Sequence, residues 1–377
     1  MGSAPRVRRW GVLVAVLALG GCSTADSDAA RPAPTLPHNS TSSAPARSIQ
    51  PAAGNPWGAV PAAGEVVARG LQVGWGLAFL PDGSALVSER DTGRILRLRP
   101  HMAPAEVARL PVAADGEGGL LGIAVAPTYA RDHLIYAYYT SATDNRIVRL
   151  VPGGASAAVL AGIPKNSFHD GGRVAFGPDG MLYAATGDAG DRPHAQDPAS
   201  LSGKILRLRP DGRVPADNPT PGSPVWSLGH RNVQGLAWDV RGRLYATEFG
   251  QNRFDEVTLI RKGANYGWPE VEGSGGAPRY VDPLLTWSPA DASPSGAAFA
   301  GGYLFVAALR GERLWQIRFD SAGGAPQARG LFLGRYGRLR TVAAGPDGGL
   351  WLVTSNRDGR GDPRPGDDKV IRIPVPG

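Results

Sequence analysis

The most chemically suggestive stretch of the chain is HDGGRVAFGPDGMLYAATGDAG, from His169 to Gly190. It sets a histidine just ahead of one alternating apolar segment and an aspartate just behind the next. If the two segments pair as a hairpin, the start of the first lies beside the end of the second. His169 and Asp188 then become neighbours at one rim. A carboxylate beside an imidazole fixes its tautomer and orientation, as a general base requires. A loop histidine by itself is as readily a solvated surface group; the pairing gives it meaning.

A second constellation is LGHRNVQG, residues 228–235. Arg231 and Asn232 lie at the start of another apolar strand, where they suit bidentate binding of carboxylates or carbonyls, or a network that only holds the loop. A third is Arg338-Leu339-Arg340. With one residue between them, both arginines point to the same side of an extended chain. Two adjacent guanidiniums repel unless solvent screens them or an anion lies between them. Arg310 adds a further cation in a neighbouring loop. Together these residues predict a site for an anion with several carboxylates or phosphates.

For metals, the single cysteine and the spacing of the six histidines exclude a zinc site. Glu256, with backbone carbonyls of Gly250 and Gln251 and with Tyr266 nearby in sequence, suits a hard cation such as calcium. No GxGxxG in a βαβ setting and no Walker loop is present, which argues against a nucleotide-driven enzyme.

These residues need a scaffold, and the chain repeats itself from about residue 70. The units are GLAFLPDGSALVSERDTGRILRL from Gly76, GIAVAPTYARDHLIYAYYTSATDNRIVRL from Gly122, and RVAFGPDGMLYAATGD from Arg173 with KILRL at 204–208. They continue with GLAWDVRGRLYATEFGQNRFDEVTLI from Gly235 and GAAFAGGYLFVAALRGERLWQI from Gly296. The last is TVAAGPDGGLWLVTSN from Thr341, closed by KVIRI at 369–373. Each reads as a meander of alternating strands, and Pro-Asp-Gly at 81–83, 178–180 and 346–348 supplies tight turns. One unit cannot bury its own faces, so six predict an all-β, six-bladed β-propeller with four-stranded antiparallel blades. The segment GEVVARGLQV, 64–73, is the candidate for closing the ring on the last blade. Insertions at 188–203 and 250–256 belong at one end of the central channel. The composition agrees, with 53 glycines, 34 prolines and only 19% charged residues in 377.

The N-terminus reads differently. MGSAPRVRRW is basic, GVLVAVLALGG is apolar but short for a membrane span, and Leu19-Gly20-Gly21-Cys22 matches a bacterial lipobox. Residues 1–21 are therefore expected to be a lipoprotein signal peptide, with Cys22 lipidated and the chain exported and anchored on the extracytoplasmic side. Residues 22–62, rich in Ala, Pro and Ser, are expected to be a flexible tether, leaving 63–377 as the propeller domain. The formal charge of +7 comes from scattered Lys and Arg, so nucleic acid is not the expected partner.

Taken together, GGLLGIA (118–124), HDGGRVAFGPDGMLY (169–183), GHRNVQGLAWD (229–239), DEVTLIRKGANYGWP (255–269) and RLRTVAAGPDG (338–348) resemble the glucose/sorbosone dehydrogenase family. The resemblance implies PQQ-dependent oxidation of an aldose at C1 to the lactone. It makes His169 the general base and Asp188 its orienting group. Arg231 would polarise the quinone and Asn232 hold the cofactor. Arg338, Arg340, Arg310 and Glu117 would surround it. It also implies one calcium on PQQ through Gly250 and Gln251, a second at Glu256 and Tyr266, and an electron acceptor of unspecified kind. Glu117 stands where some members carry Gln, Arg310 where Lys is common, and Phe249 where His is more usual. A carboxylate at 117 facing a tricarboxylate needs a proton or a cation. Two other readings stay open: a metal-dependent lactonase, and a non-catalytic propeller that binds a glycan or a protein.

Overall fold

A computed structural model of the chain describes Trp57, Ala59 and residues 61–320 and 324–374. The signal-peptide and lipidation readings, Cys22 included, lie outside the described residues, as does most of the expected tether. The strands form six antiparallel sheets of four, the blades of a six-bladed β-propeller. Blade 1 comprises Gly74–Phe79, Ala85–Glu89, Arg94–Leu98 and Ala105–Arg109. Blade 2 comprises Leu120–Val125, Ile135–Thr140, Asn145–Leu150 and Ala157–Ile163. Blade 3 follows with Val174–Phe176, Leu182–Ala185, Lys204–Leu208 and Val225–Leu228. Blade 4 is Val233–Trp238, Leu244–Glu248, Asp255–Ile260 and Leu285–Trp287. Blade 5 is Pro294–Ala300, Tyr303–Ala308, Arg313–Arg318 and Gln327–Leu331. Blade 6 takes Leu339–Ala344, Leu350–Thr354 and Val370–Ile373 from the C-terminal part. Its fourth strand is Glu65–Ala68, paired Glu65 with Arg372 and Val66 with Ile371. The ring is thus closed where the sequence predicted.

The Pro-Asp-Gly turns work as their residue types demand. Gly83, Gly180 and Gly348 take φ of 80°, 73° and 77°. Asp82, Asp179 and Asp347 each accept the N–H two residues on at 3.1 Å. Each also meets an arginine of its blade's third strand: Arg97, Arg207 and Arg372.

Burial lies between blades rather than within one. Six apolar clusters lie between neighbouring blades, for example Leu86 and Ile95 of blade 1 with Ile123, Ala137 and Val148 of blade 2. Toward the axis the strands approach so closely that a side chain cannot fit. A Cβ on Gly122 would lie 2.3 Å from the Gly172 oxygen, and one on Gly235 the same distance from the Ser295 oxygen. This explains why four of the six repeats begin with glycine. Hydroxyls bridge the same seams: Thr247 donates to the Ser295 carbonyl at 2.5 Å and Thr341 to the Trp75 carbonyl at 2.6 Å.

In such a meander the turns between strands two and three and the blade-to-blade connections emerge at one end, opposite the Pro-Asp-Gly turns. His169, Arg231, Asn232, Arg338 and Glu117 lie on or beside blade-to-blade connections; Asp188, Gly250, Gln251 and Arg310 lie on turns between strands two and three. All therefore share that end. Register shifts mark the starts of the inner strands there in blades 1, 2, 4, 5 and 6. Such bulges re-aim side chains, here Gln234 and Arg340, toward the channel. Among the described residues no helix is long and apolar enough to cross a membrane.

A chain beginning at residue 70 lacks the closing strand and leaves Val370–Ile373 as a bare sheet edge. Losing the burial of Val66, Val67 and Ala68 costs about 3 kcal/mol, enough to lower the melting midpoint by about 5 °C against a chain beginning at residue 61. Calorimetry on the two chains checks this; equal midpoints would show that the strand does not close the ring.

Candidate active site

His169 is held from several sides. Its Nδ1 lies 2.7 Å from Asp188 Oδ1. Its N–H donates to Glu117 Oε2 at 3.0 Å, and its carbonyl accepts the Ala189 N–H at 3.2 Å. It takes φ of 60°, a left-handed conformation that costs a non-glycine residue and needs such surroundings to persist. Gly187 permits the approach, because a Cβ there would sit 1.8 Å from the His169 oxygen. The ring packs edge-on against Phe168 and stays partly open to solvent.

Asp188 is fully buried. Burial opposes its charge, but His169, the Gly190 N–H and the Trp268 indole hold the carboxyl below its ordinary range. The indole Nε1–H donates to Asp188 Oδ2 at 2.8 Å. An ionised Asp188 accepts Nδ1–H of His169 and leaves Nε2 as the free basic nitrogen.

Beside this pair, at the channel mouth, is a cavity of about 390 Å³ walled by Trp75, Glu117, Gln234, Arg310, Arg338 and Arg340, with Asp170 and Gly171 carrying the wall toward His169. Arg340 donates to Gln234 Oε1 at 3.0 Å, and its Nε has no partner. Burial lowers its guanidinium to about 10. Arg173, which the sequence reading left as a strand residue, lies 4.2 Å from the centre of the Trp75 ring. It donates to the Gln234 carbonyl at 2.8 Å and to Thr341 Oγ1 at 3.1 Å. Burial lowers it to about 9, with Arg340 adding repulsion. Arg310 is exposed and lacks a carboxylate partner among the described residues.

Arg338 and Arg340 do flank an anion, but here it is the chain's own Asp358. Arg338 grips it with Nε at 3.0 Å and Nη2 at 2.8 Å, while Arg340 stands 3.9 Å away. Arg338 is therefore largely engaged, and Arg340 remains the freer cation. Asp358 lies 18 residues or more along the chain in the last long turn of blade 6, beyond the reach of spacing arguments.

Arg231 and Asn232 sit across from His169, on the connection into blade 4. Arg231 covers the Trp268 ring at 5.4 Å and donates to the Phe249 carbonyl at 3.1 Å, leaving Nε unpartnered. Asn232 Oδ1 accepts from the Gly171 N–H and from Gln234, both at 3.1 Å; its Nδ2 has no partner. Phe249 lines the main cavity and also a cleft of about 10 Å³, room for one ion or water, and so divides them.

That cleft gathers Gly250, Glu256 and Tyr266, together with Glu248 and Glu272, which sequence reasoning missed. Burial, with Glu248, Glu272 and Asp255 nearby, pushes Glu256 up to about 8. The acidic oxygens suit a hard cation. They are not preset around one, however. Glu272 Oε1 accepts four backbone N–H groups of the 251–254 turn at 2.7–3.1 Å, and Glu248 is taken by His230 and by the backbone of Arg231. Among the described residues no three acidic, cysteine or histidine side chains converge at metal-binding spacing.

The model of the glucose/sorbosone dehydrogenase family matches residues 71–362, and the chain belongs to that family. It is 53% identical to the PQQ-bound form of aldose sugar dehydrogenase from Streptomyces coelicolor, with a TM-score of 0.79 over 84% of this chain and 99% of that one. It is 30% identical to aldose sugar dehydrogenase YliI of Escherichia coli, covering 78% of this chain and 90% of the other. An uncharacterized Synechocystis protein is 33% identical over 92% of this chain and 96% of its own.

Asp170 offers a pH test of the site's wall. Oδ1 accepts from Asn145 Nδ2 at 2.8 Å and from the Asn166 N–H at 3.1 Å, whereas Oδ2 has no partner. Burial, which outweighs those hydrogen bonds, raises the carboxyl from 3.8 to about 6, and Glu117 adds to the rise. A raised acid makes the native state bind its proton more tightly than the unfolded chain, so stability falls as pH rises from about 4 to about 6 and stays reduced above. Asp170→Asn should therefore stabilise the protein at pH 7 by on the order of 2 kcal/mol and bring no such gain below pH 4. Urea unfolding of both proteins at the two pH values checks it; a gain independent of pH would refute the assignment.

Proposed function

We propose that the protein oxidises aldose sugars at C1 to the lactone, using PQQ. The observation that carries this is the meeting of an oriented base, His169–Asp188, with a cavity walled by cations that lack enough carboxylates of their own. Arg340 and Arg310 of the wall, with Arg173 buried beside Trp75, suit a polyanionic ring, and Arg340 Nε, Arg231 Nε and Asn232 Nδ2 are buried donors without partners among the described residues. These donors fit PQQ. Similarity to quinoprotein relatives supports the same reading.

When bound, PQQ would supply an electrophilic quinone carbonyl able to accept a hydride. The chain's own part is to position and neutralise. His169 Nε2 takes the proton of the anomeric hydroxyl while C1 becomes the lactone carbonyl. Asp188 keeps the imidazole in the right tautomer and stabilises the imidazolium that forms. Trp268 fixes Asp188 and carries Arg231 on its ring face, directing that cation toward the reacting end. Arg340, Arg310 and Asn232 hold the anionic ligand, with Arg338 steadying the wall through Asp358. The electrons must finally pass to an acceptor whose class is left open. A lactonase would need a ring of carboxylates around a central metal, whereas this cavity wall carries four arginines against two carboxylates.

Calcium belongs to the same proposal. Glu248, Glu256 and Glu272 offer suitable oxygens beside Gly250 and Tyr266, with Gln251 in the same turn; a shift of that turn would be needed to free them, and no catalytic step is assigned to the metal. Export and lipid anchoring through Cys22 are likewise proposed, from the lipobox alone.

His169→Ala should lower turnover of aldoses with added PQQ and calcium by about a thousandfold, within the range a general base supplies, while PQQ uptake followed by quinone absorbance persists. Turnover retained in that variant would mean that another group is the base. Cys22→Ala should move the protein from the detergent phase to the soluble fraction and abolish labelling by a fatty acid; unchanged partition would dismiss the anchor.

A further inference from the structure

Glu117 and Asp170 are the two carboxylates of the cavity wall, the wrong sign for a polyanion, and of the two Glu117 is the one that meets an arginine. It is half-buried, and burial opposes its charge. The His169 N–H and the Arg360 guanidinium nevertheless hold its carboxyl below the ordinary range. Arg360 Nη1 meets Glu117 Oε1 at 2.8 Å, across 243 residues of sequence. Glu117 lies on the connection between blades 1 and 2, and Arg360 on the last long turn of blade 6. The pair therefore reaches over the end of blade 1, whose own turn between Glu89 and Arg94 is short. Both residues line the cavity. Arg360 is itself anchored, since its N–H donates to Asp358 Oδ1 at 2.9 Å, the same carboxylate that Arg338 grips. A continuous chain of contacts thus runs from the backbone of His169 through Glu117, Arg360 and Asp358 to Arg338.

We propose that Arg360 is a positioning residue that makes the cavity usable by a polyanion, by neutralising Glu117. It acts through that carboxylate and not by touching the ligand. This deepens the cofactor reading above and rests on it for the chemical class of ligand. It also gives Glu117 two tasks: one oxygen holds the strained His169 peptide while the other is cancelled by a cation. The other charged groups around Glu117 are His169, Asp170, Arg231 and Arg340, and only Arg360 makes an ion pair with it. A glutamine at 117 would keep an oxygen for the His169 N–H and need no cation, so Glu117 and Arg360 form a matched unit.

The test is a rescue experiment on the full chain without cofactor. The probes are trimesate, a redox-inert benzene tricarboxylate, and PQQ, with binding read by quenching of tryptophan fluorescence, since Trp75 lines the cavity. Arg360→Gln leaves Glu117 bare and should weaken both probes about tenfold, as one uncompensated charge at a partly desolvated rim would. Adding Glu117→Gln to that variant should restore affinity to within about twofold of the parent chain, the interaction being pairwise. A double variant as weak as Arg360→Gln would place Arg360 on the ligand and overturn the proposal. So would an Arg360→Gln chain that binds like the parent, or a parent chain that takes no trimesate. Trimesate binding with the expected rescue, but without PQQ uptake, upholds the pair and defeats only the cofactor reading.

Discussion

Arg173 and Arg340 share the face and edge of one indole at the channel mouth, with guanidinium carbons 4.2 and 5.6 Å from the Trp75 ring centre. Among the described residues Arg173 has no carboxylate within ion-pair distance, and Arg340 has only Asp358, at 3.9 Å. Placing two cations out of water beside each other is costly unless something answers them. Hydrogen bonds to Gln234 and Thr341 and the indole's electron-rich face offset part of that cost. The remainder is a standing affinity for anions, and the architecture around it keeps the two charges from escaping.

The base and the cation cluster are mechanically one object. Gln234 takes Arg340 on its amide oxygen, receives Arg173 on its backbone carbonyl and donates to Asn232. Asn232 in turn fixes the Gly171 N–H, two residues from His169. Trp268 ties Asp188 to the cleft with the acidic side chains. Blades 3, 4 and 6 are thus tied together beside the imidazole through hydrogen bonds centred on two neutral amides, Gln234 and Asn232, which are directional and do not compete for the ligand's charge.

The ring of six meanders was legible because the turns repeat with a mechanism: proline, an aspartate that bonds forward, and glycine at positive φ. The closing strand was legible only as a candidate, the segment 64–73 ahead of the first repeat. His169 and Asp188 were legible for the same reason, since hairpin geometry converts their sequence positions into proximity. What escaped was contact between distant blades. Nothing near Arg338 in sequence announces Asp358, and nothing near Glu117 announces Arg360, because each partner lies on a turn whose position is set by ring closure. Trp268 and Arg173 escaped differently. A tryptophan after glycine and an arginine opening a strand look like ordinary core and edge residues until the neighbouring blade is placed against them.

The acidic cleft behind Phe249 shows why charge alone would have misassigned this end of the channel. Counted by residue type, the region offers as many carboxylates as guanidiniums, and a metal hydrolase would be as plausible as a quinone site. Direction separates them. The carboxylates of Glu248 and Glu272 turn away from the main cavity and are consumed by backbone N–H groups and His230. The arginines turn inward and meet mostly neutral acceptors. Phe249 is an apolar wall between the two, lining both the wide cavity with its arginines and the narrow cleft with its carboxylates. A polar ring at that position would blur the boundary.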